Sequence, residues 1–331
     1  MENRSEFKKP LVTHMYTADP SVHVFDGKLY IYPSHDLENE GLDDGKGDHF
    51  QMKDYHVFSM DDIGAPCVDH GEALNVKDVP WASKQMWAPD AAFKNGKYYF
   101  YFPVQDKDGI FRIGAAVGDK PMGPFTPEPN YIPGSYSIDP GVFTDDDGTT
   151  YMFCGGMWGG QLEKWRTGEF VPFSGAVGAD GPQGDEPAMG PWVAVMNDDM
   201  VTFKKKPQTV KILDENGEHL KAKDTDRRYF EAPCMHKFGG KYYLSYSTGD
   251  THFICYAESE NPKGPFTYKG KVLEPVIGWT NHHYIVEFKD KWYLFYHDSS
   301  LSGGKTHLRC IMYTELEIAP DGTITTVKPY D

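Results

Sequence analysis

Short runs of aromatic and β-branched residues alternate along this chain with turn residues, and the 3.6-residue apolar period of a long helix is hard to find. Runs of this kind predict many short β-strands. Five runs resemble one another, because each opens at a turn dipeptide and continues as an aromatic-rich strand. They are 26–32 (DGKLYIY), 95–101 (NGKYYFY), 147–153 (DGTTYMF), 239–245 (GGKYYLS) and 289–295 (KDKWYLF). Asp-Gly, Asn-Gly and Gly-Gly tolerate the positive φ angles of a tight hairpin.

The repetition of this hairpin predicts the architecture. The turns are unevenly spaced, by roughly 50 to 90 residues, as expected when loops of different length decorate one repeated unit. Four-stranded units of about 40–50 residues arranged around an axis form a β-propeller. Five such units fit a chain of 331 residues. We therefore predict an all-β, five-bladed β-propeller that spans residues 1–331 as a single domain.

A second repeat lies upstream of each hairpin strand, by about seven to ten residues, where a polar residue stands beside an apolar run. The first strand of each blade lines the propeller axis, so equivalent positions on those strands are expected to converge at one end of the channel. The converging residues would be Asp19, Asp90, Asp139, Glu231 and His283.

Several carboxylates in one pocket predict perturbed pKa values, because like charges at short range cannot all ionise. Two carboxyl groups whose pKa values are pushed apart are the acid and base of glycoside hydrolysis. Aromatic side chains such as Trp87 and Trp158 are suited to stack on sugar faces. A single Asp-Pro is ordinarily turn chemistry, so the prediction depends on the matched positions in the repeat.

Charge and composition narrow the partners. The formal net charge is −16, which argues against nucleic acid and an anionic membrane surface as partners. No run approaches 18 apolar residues. Five scattered cysteines without a C-x-x-C pair argue against a disulfide framework or a zinc–cysteine site. The polar first nine residues lack the apolar segment of a signal peptide. We expect a cytoplasmic protein, or a secreted or periplasmic one if a leader precedes this sequence. The oligomeric state is left open.

The motifs at these positions resemble those of glycoside hydrolase family 43, whose members are five-bladed propellers. The resemblance covers nearly the whole chain, from about residue 10 to residue 324. No single motif is specific, but the set is. The motifs are 17–21 (TADPS), 87–90 (WAPD), 137–141 (SIDPG), 230–233 (FEAP), 280–283 (TNHH) and 291–298 (KWYLFYHD).

The resemblance implies inverting hydrolysis by three carboxylates. Asp19 would be the general base that activates water, and Glu231 the general acid that protonates the leaving oxygen. Asp139 would orient that acid and keep its pKa raised. Arg309 resembles the family arginine that contacts a substrate hydroxyl, and Trp87 would shape the wall of the sugar site. Asp90 and Trp158 complete the predicted substrate-binding residues.

His283 resembles a channel histidine that binds calcium or a water cluster in many relatives. One imidazole with few protein oxygens is a poor calcium site, since calcium prefers six to eight oxygens. Waters would have to fill the shell, and a metal-free histidine stays an alternative. Tyr284 stands where relatives often have glycine. The acidic run 145–148 (DDDG) lacks the downstream Glu of an EF-hand and predicts a hairpin turn. No organic cofactor is expected.

The activities implied by the resemblance are β-xylosidase, α-L-arabinofuranosidase, endo-arabinanase and xylanase. Long insertions, 36–81 and 165–228, are predicted to close one end of the channel and favour exo attack. The motif 154–160 (CGGMWGG) looks like members with xylosidase and arabinofuranosidase activity. We expect a β-1,4-xylosidase with α-L-arabinofuranosidase activity that acts on xylo- or arabino-oligosaccharides in xylan degradation. From the single-domain length we expect no appended β-sandwich, in contrast to relatives that carry one.

Two other classes share the propeller. Invertases and levansucrases would carry Asn-Asp-Pro-Asn-Gly and Glu-Cys-Pro, where this chain has 18–21 (ADPS) and 231–233 (EAP). A non-catalytic sugar-binding propeller would be supported by loss of a carboxylate, and all three are present. A WD-type interaction propeller is disfavoured by the absence of its Gly-His and Trp-Asp signature.

Overall fold

The hairpins form at the predicted turn dipeptides. In the computed structural model, which describes residues 9–39, 46–172 and 175–331, Asp26 and Gly27 have φ angles of 52° and 74°. Both central residues also have positive φ at 95–96, 239–240 and 289–290. Paired positive φ angles match the right-handed twist of the flanking strands. The acidic run 145–148 forms a longer turn, in which the Gly148 N–H donates to the Asp145 carbonyl, so its interpretation as a hairpin turn is confirmed.

Within the described residues the strands form five sheets. The first sheet contains β1 (Tyr16–Phe25), β2 (Lys28–Asp36), β3 (Asp54–Met60) and β4 (Val68–Asn75). The second contains β5 (Ala82–Lys84), β6 (Asp90–Lys94), β7 (Lys97–Asp106), β8 (Phe111–Gly118) and β9 (Thr126–Pro127). The third contains β10 (Gly141–Thr144), β11 (Thr150–Cys154), β12 (Trp192–Val195) and β13 (Gln208–Thr209).

The fourth and fifth sheets complete the set. The fourth contains β14 (Ile212–Leu213), β15 (Glu231–Phe238), β16 (Lys241–Ser247), β17 (Ile254–Ser259) and β18 (Phe266–Leu273). The fifth contains β19 (His283–Phe288), β20 (Lys291–Asp298) and β21 (Cys310–Leu316). Four short 3₁₀ helices are assigned in the described residues, at Val76–Asp78, Trp158–Gly160, Leu162–Trp165 and Ser300–Ser302. None of the described helices is long and apolar enough to cross a membrane.

The innermost strands form a closed ring. Each of β1, β6, β10, β15 and β19 contacts the next, and β19 contacts β1. The N-terminal segment seals the ring, because the Leu11 N–H donates to the Ile311 carbonyl (2.7 Å) and the Thr17 N–H donates to the Arg309 carbonyl (3.0 Å). The predicted five-bladed β-propeller is confirmed.

The two segments predicted as insertions contain strands of the blades themselves. Segment 36–81 contains β3 and β4, the outer strands of the first blade, and segment 165–228 contains β12, β13 and β14. The interpretation of both as insertions between blades was therefore wrong, although residues 40–45 and 173–174 of these segments lie outside the described residues. Several of these strands have only two to four residues, which is too short for an alternating apolar pattern to be recognised in the sequence. Among the described residues of these two segments, Gly47, His49, Phe50 and Met52 line the pocket at the channel mouth.

Buried aromatic side chains fill the space between blades. Between the first two blades, Tyr55 packs edge-on against Phe100 with ring centroids 4.9 Å apart, and Phe100 stacks on Phe125 at 5.1 Å. Each buried aromatic ring removes about 150–250 Å² from water. This packing holds the inner strands rigidly around the channel.

Candidate active site

Three carboxylates lie where the inner strands bend at the channel mouth. The β1–β2 register shifts between Ala18 and Ser21, and the β15–β16 register shifts between Glu231 and Cys234. Asp19 and Asp139 have φ angles of 48° and 58°. Positive φ is uncommon for residues other than glycine, and such strained conformations concentrate at functional sites. A local bend thus turns a carboxylate inward in each of three blades.

The three carboxylates share one open pocket with about 830 Å³ of empty space. Of the eight residues predicted from the sequence, the structure brings six to its walls, namely Asp19, Asp139, Glu231, Trp87, Trp158 and Arg309. Most of the pocket lining is apolar and only a few groups are polar, as is common in ligand pockets.

Asp19 is held in its ionised form. Its Oδ1 accepts from Nη1 of Arg309 (2.9 Å) and its Oδ2 accepts from the Ser34 hydroxyl (2.7 Å). Burial would raise the pKa of Asp19, but attraction to the Arg309 guanidinium and the contacts with His297 and His282 outweigh it. The pKa of Asp19 therefore lies well below its ordinary range, so the group is an anion that can accept a proton.

His297 fixes the backbone of Asp19. Its Nε2 lies 3.0 Å from the Thr280 carbonyl oxygen, which can only accept, so Nε2 carries the proton. Its Nδ1 is then the acceptor for the Asp19 backbone N–H (3.0 Å). This contact supports the positive φ of Asp19. His297 is part of the motif 291–298 in the fifth blade, but the sequence does not indicate that it contacts Asp19.

Glu231 and Asp139 form a coupled pair that retains a proton. Burial, and then the negative charge of Asp19, raise the pKa of Glu231 to about 8. Burial, and then the charges of Glu231 and Asp19, raise the pKa of Asp139 well above its ordinary value. Asp139 is fixed because its Oδ2 accepts from the Ala232 backbone N–H (3.0 Å), next to Glu231 in the chain. Both groups therefore favour their protonated forms, and the pair retains a proton at neutral pH.

Asp36 positions Arg309 and was missed in the sequence. Its Oδ2 accepts from Nε of Arg309 and its Oδ1 accepts from Nη2, both at 2.8 Å, and Oδ2 also accepts from the Arg309 backbone N–H at 2.9 Å. The two side chains are 1% and 4% exposed. A bidentate pair of this kind aims the remaining Nη1 at Asp19. The only signal was a carboxylate that ends an apolar strand.

His282 lies between two of the carboxylates. Its Nδ1 is 3.8 Å from Oδ1 of Asp19 and 3.9 Å from Oδ2 of Asp139. Burial lowers the pKa of His282 to about 4, against the attraction of Asp19. The neutral imidazole therefore lines the pocket without neutralising either carboxylate. The adjacent His283, the first residue of β19, was predicted from the sequence instead.

The aromatic walls are held by backbone contacts. Nε1–H of Trp87 donates to the Phe50 carbonyl (2.9 Å), and Gly47 packs so tightly that a Cβ there would lie 2.5 Å from Cη2 of Trp87. Trp158 stacks on Trp279 with ring centroids 5.7 Å apart and planes inclined by 21°. Trp279, Phe50 and Met52 also line the pocket and were missed.

Asp90 and His283 are not among the described residues that line the pocket. Asp90 is 1% exposed, and its Oδ1 accepts from the Ser21 hydroxyl (2.6 Å) and the Ala91 N–H (2.7 Å), while Oδ2 accepts from the Val142 N–H (2.5 Å). It joins the inner strands of three blades, so its buried carboxylate is fully engaged. The expected convergence of five polar residues is corrected to three carboxylates.

His283 lies beneath the pocket, away from its walls. It is completely buried, Nε2 lies 2.6 Å from the Ser245 hydroxyl, and Nδ1 has no hydrogen-bond partner. Burial, and then the neighbouring histidines His282 and His236, lower the pKa of His283 well below its ordinary value. It is therefore a neutral imidazole with one nitrogen open to a ligand.

This arrangement can perform acid–base chemistry on a glycosidic bond. An ionised carboxylate and two carboxyl groups with raised pKa values are present in one aromatic-lined pocket. That combination is the apparatus of glycoside hydrolysis.

Comparison with known proteins agrees with this chemistry. Residues 7–324 match the family model described as glycosyl hydrolases family 43. The chain is 56% identical over 324 residues to xylosidase/arabinosidase 43A of Humicola insolens, covering 97% of this chain and 99% of that protein. It is 50% identical over 317 residues to a β-xylosidase of Xylanibacter ruminicola, covering 95% and 97%.

A solved structure superimposes over nearly the whole chain. It is a β-xylosidase/α-arabinofuranosidase of the same family from a compost microbial metagenome, in complex with xylotriose and in a calcium-free form. The TM-score is 0.96 at 60% identity, and the match covers 98% of each chain. The resemblance found in the sequence motifs is confirmed: the chain belongs to glycosyl hydrolases family 43 and is a glycoside hydrolase.

Proposed function

We propose that this enzyme is an inverting, exo-acting β-1,4-xylosidase that also releases α-L-arabinofuranose. The observation that carries the proposal is the division of protonation states in the pocket, with Asp19 ionised and Glu231 protonated near neutral pH. The names of the relatives, xylosidase/arabinosidase and β-xylosidase, support the same substrates.

In this mechanism Asp19 accepts a proton from a water molecule as that water attacks the anomeric carbon. Glu231 donates its proton to the leaving glycosidic oxygen. Asp139 fixes the backbone beside Glu231, because its Oδ2 accepts from the Ala232 N–H, and a negative charge on Asp139 would disfavour ionisation of Glu231. Arg309 keeps Asp19 unprotonated between turnovers. General acid and base contributions of this kind are each worth typically 10²–10⁴-fold in rate.

The wall of the pocket favours a pentose. Phe50, Met52, Trp87 and Ile138 form one buried apolar cluster against the site, and Gly47 leaves no space behind Trp87. A xylose or arabinofuranose unit presents a small apolar face to such a wall. A hexopyranose would add a hydroxymethyl group that this packed wall has to accommodate, and overpacking is costly.

The test is product analysis with paired substrates. The enzyme is incubated with nitrophenyl β-D-xylopyranoside, nitrophenyl α-L-arabinofuranoside, xylotriose, xylan and arabinan, beside its Glu231→Gln variant. We expect both glycosides to be cleaved, xylotriose to be shortened one xylose at a time, and the first product by NMR to be the α-anomer of xylose. Initial release of β-xylose would contradict inversion. Shortening of xylan or arabinan without cleavage of either glycoside would show an endo-acting enzyme, and no reaction at all would favour a sugar-binding propeller.

We also propose that a hydrated calcium ion binds in the channel at His283. The support is the buried, neutral imidazole with an unpartnered Nδ1. Since calcium prefers oxygen ligands, waters would complete its shell. A cation there would add positive charge beneath the carboxylates. Chelator treatment followed by calcium addition tests this, with loss and recovery of thermal stability as the expected result. An unchanged melting temperature, together with no bound calcium by elemental analysis, would contradict it.

We further propose a cytoplasmic location, where the enzyme would finish short oligosaccharides. The support is that all five cysteines are free thiols, four of them buried. Fractionation of the source cells tests this, and recovery in the periplasm or medium would contradict it.

A further inference from the structure

Two histidines and an aspartate meet on one face of the first blade. His35 lies on β2, and Asp54 and His56 lie at alternate positions on β3, so all three side chains point to the same side of the sheet. One candidate ligand atom from each lies within 4.8 Å of the others. None of the three lines the substrate pocket.

We propose that His35, Asp54 and His56 form a binding site for a divalent transition metal ion, with zinc as its best-fitting ion. The choice of metal follows from the chemistry of the three ligands. Two imidazoles and one carboxylate suit zinc and its neighbours, whereas calcium and magnesium prefer sites made only of oxygen.

The geometry fits four-coordinate zinc with small side-chain movements. Bonds of about 2.0–2.1 Å in a tetrahedron place neighbouring ligand atoms about 3.4 Å apart. Nδ1 of His35 and Oδ1 of Asp54 are 2.6 Å apart in a hydrogen bond, so an ion would replace the shared proton and move them slightly apart. The three side chains are 17–20% exposed, which leaves water a route to the fourth position.

An outer carboxylate already orients one ligand. Oδ1 of Asp69 lies 3.0 Å from Nδ1 of His56 and also accepts from the Gly71 N–H at 2.8 Å. Histidines that bind metals commonly donate their other ring N–H to a carboxylate, which fixes the tautomer and the ring. Asp69 thereby leaves Nε2 of His56 for the ion.

The site has a structural consequence. It would tie β2 to β3 one residue before Asp36, the residue that aims Arg309. Binding to the folded state raises stability by mass action. We therefore expect zinc to raise the melting temperature of the protein and to leave kcat little changed.

The experiment titrates zinc chloride into chelator-treated enzyme by calorimetry, with His56→Gln and Asp54→Asn as test variants. His219→Gln is the matched control, because this histidine lies on the loop after β14, outside the site. We expect one zinc per chain at this site, at least tenfold weaker binding in both test variants, wild-type binding in the control, and no competition from equal calcium. Unweakened zinc binding in the test variants, or displacement by equal calcium, would overturn the proposal.

A second measurement needs no variant. Wild-type crystals soaked in zinc should give an anomalous peak among His35, Asp54 and His56 at the zinc absorption edge. A peak only at the channel histidines, or none, would show that the cluster is a set of ordinary histidine–aspartate hydrogen bonds. This site is independent of the proposed function.

Discussion

Replacing Arg309 by glutamine should move the acidic limb of the pH–activity profile. Nη1 of Arg309 lies 2.9 Å from Oδ1 of Asp19, so the charge centres are about 4 Å apart. At an effective dielectric constant of about 20, their attraction is about 4 kcal/mol, which corresponds to an upper limit of about 3 pKa units. We expect the pKa of Asp19 to rise by nearly this limit, because burial then opposes its ionisation with only the histidine contacts against it.

The sign of the effect follows from the role of Asp19 as base. The base must be ionised, so kcat/KM rises with pH through its pKa. In the wild type this limb should lie well below pH 4, since the pKa of Asp19 is strongly lowered. The assay is kcat/KM on nitrophenyl β-D-xylopyranoside from pH 3 to 9. In the Arg309→Gln variant, activity should fall already as the pH drops through the ordinary range of carboxylic acids.

Controls separate this effect from unfolding. Removing Arg309 leaves Asp36 buried without its partner, which typically costs about 3–5 kcal/mol, so melting temperatures are measured at each pH. Arg309→Lys keeps the positive charge but loses the planar, bidentate guanidinium, and should shift the acidic limb of the profile less than Arg309→Gln. Arg112→Gln breaks the ion pair with Asp106, outside the pocket, and should leave the limb in place. An unshifted limb in folded Arg309→Gln enzyme would refute the electrostatic role of Arg309.

Three further predictions concern the acid and the walls. First, kcat/KM should fall above pH about 8, where Glu231 loses its proton, and a basic limb below pH 6 would contradict the raised pKa. Second, the stability of Glu231→Gln relative to wild type should increase as pH rises from about 5 to about 8. The raised pKa means that the folded state favours the protonated acid, so this favourable contribution is present at low pH and is lost through the folded pKa. The same difference in melting temperature between variant and wild type at pH 5 and pH 9 would contradict this. Third, Gly47→Ala should lower stability by about 1–3 kcal/mol and kcat/KM at least tenfold, because its Cβ would meet Trp87. Gly27→Ala, with similar positive φ and open space, should cost only about 1 kcal/mol and no activity.

The repeat predicted the fold because its signal is local. Turn dipeptides such as Asp26–Gly27 favour the backbone angles that a two-residue hairpin requires, whatever surrounds them. The outer strands within 36–81 and 165–228 were missed because several are only two to four residues long, and because their pairing depends on neighbouring strands.

The site residues, like the strands, were predicted where the signal is local and missed where it depends on distant parts of the chain. Asp19, Asp139 and Glu231 were predicted because they recur at matched places in the repeat. Asp36 was missed because its partner, Arg309, lies 273 residues away in the chain, and only the folded ring brings them together. Asp90 shares the repeat position of the three acids, yet three blades supply its hydrogen-bond donors, and that satisfaction is visible only in three dimensions.

The assignment of Asp19 as general base and Glu231 as general acid is tested most directly by the dependence of rate on the leaving group. Glu231→Gln and Asp19→Asn are each assayed on xylobiose and on dinitrophenyl β-D-xylopyranoside, whose leaving group needs no proton. Glu231→Gln should lose about 10²–10⁴-fold on xylobiose and far less on the dinitrophenyl glycoside, because only the first reaction needs the acid. Asp19→Asn should lose a similar factor on both, since both need the base. Equal losses of Glu231→Gln on the two substrates would contradict its role as the general acid.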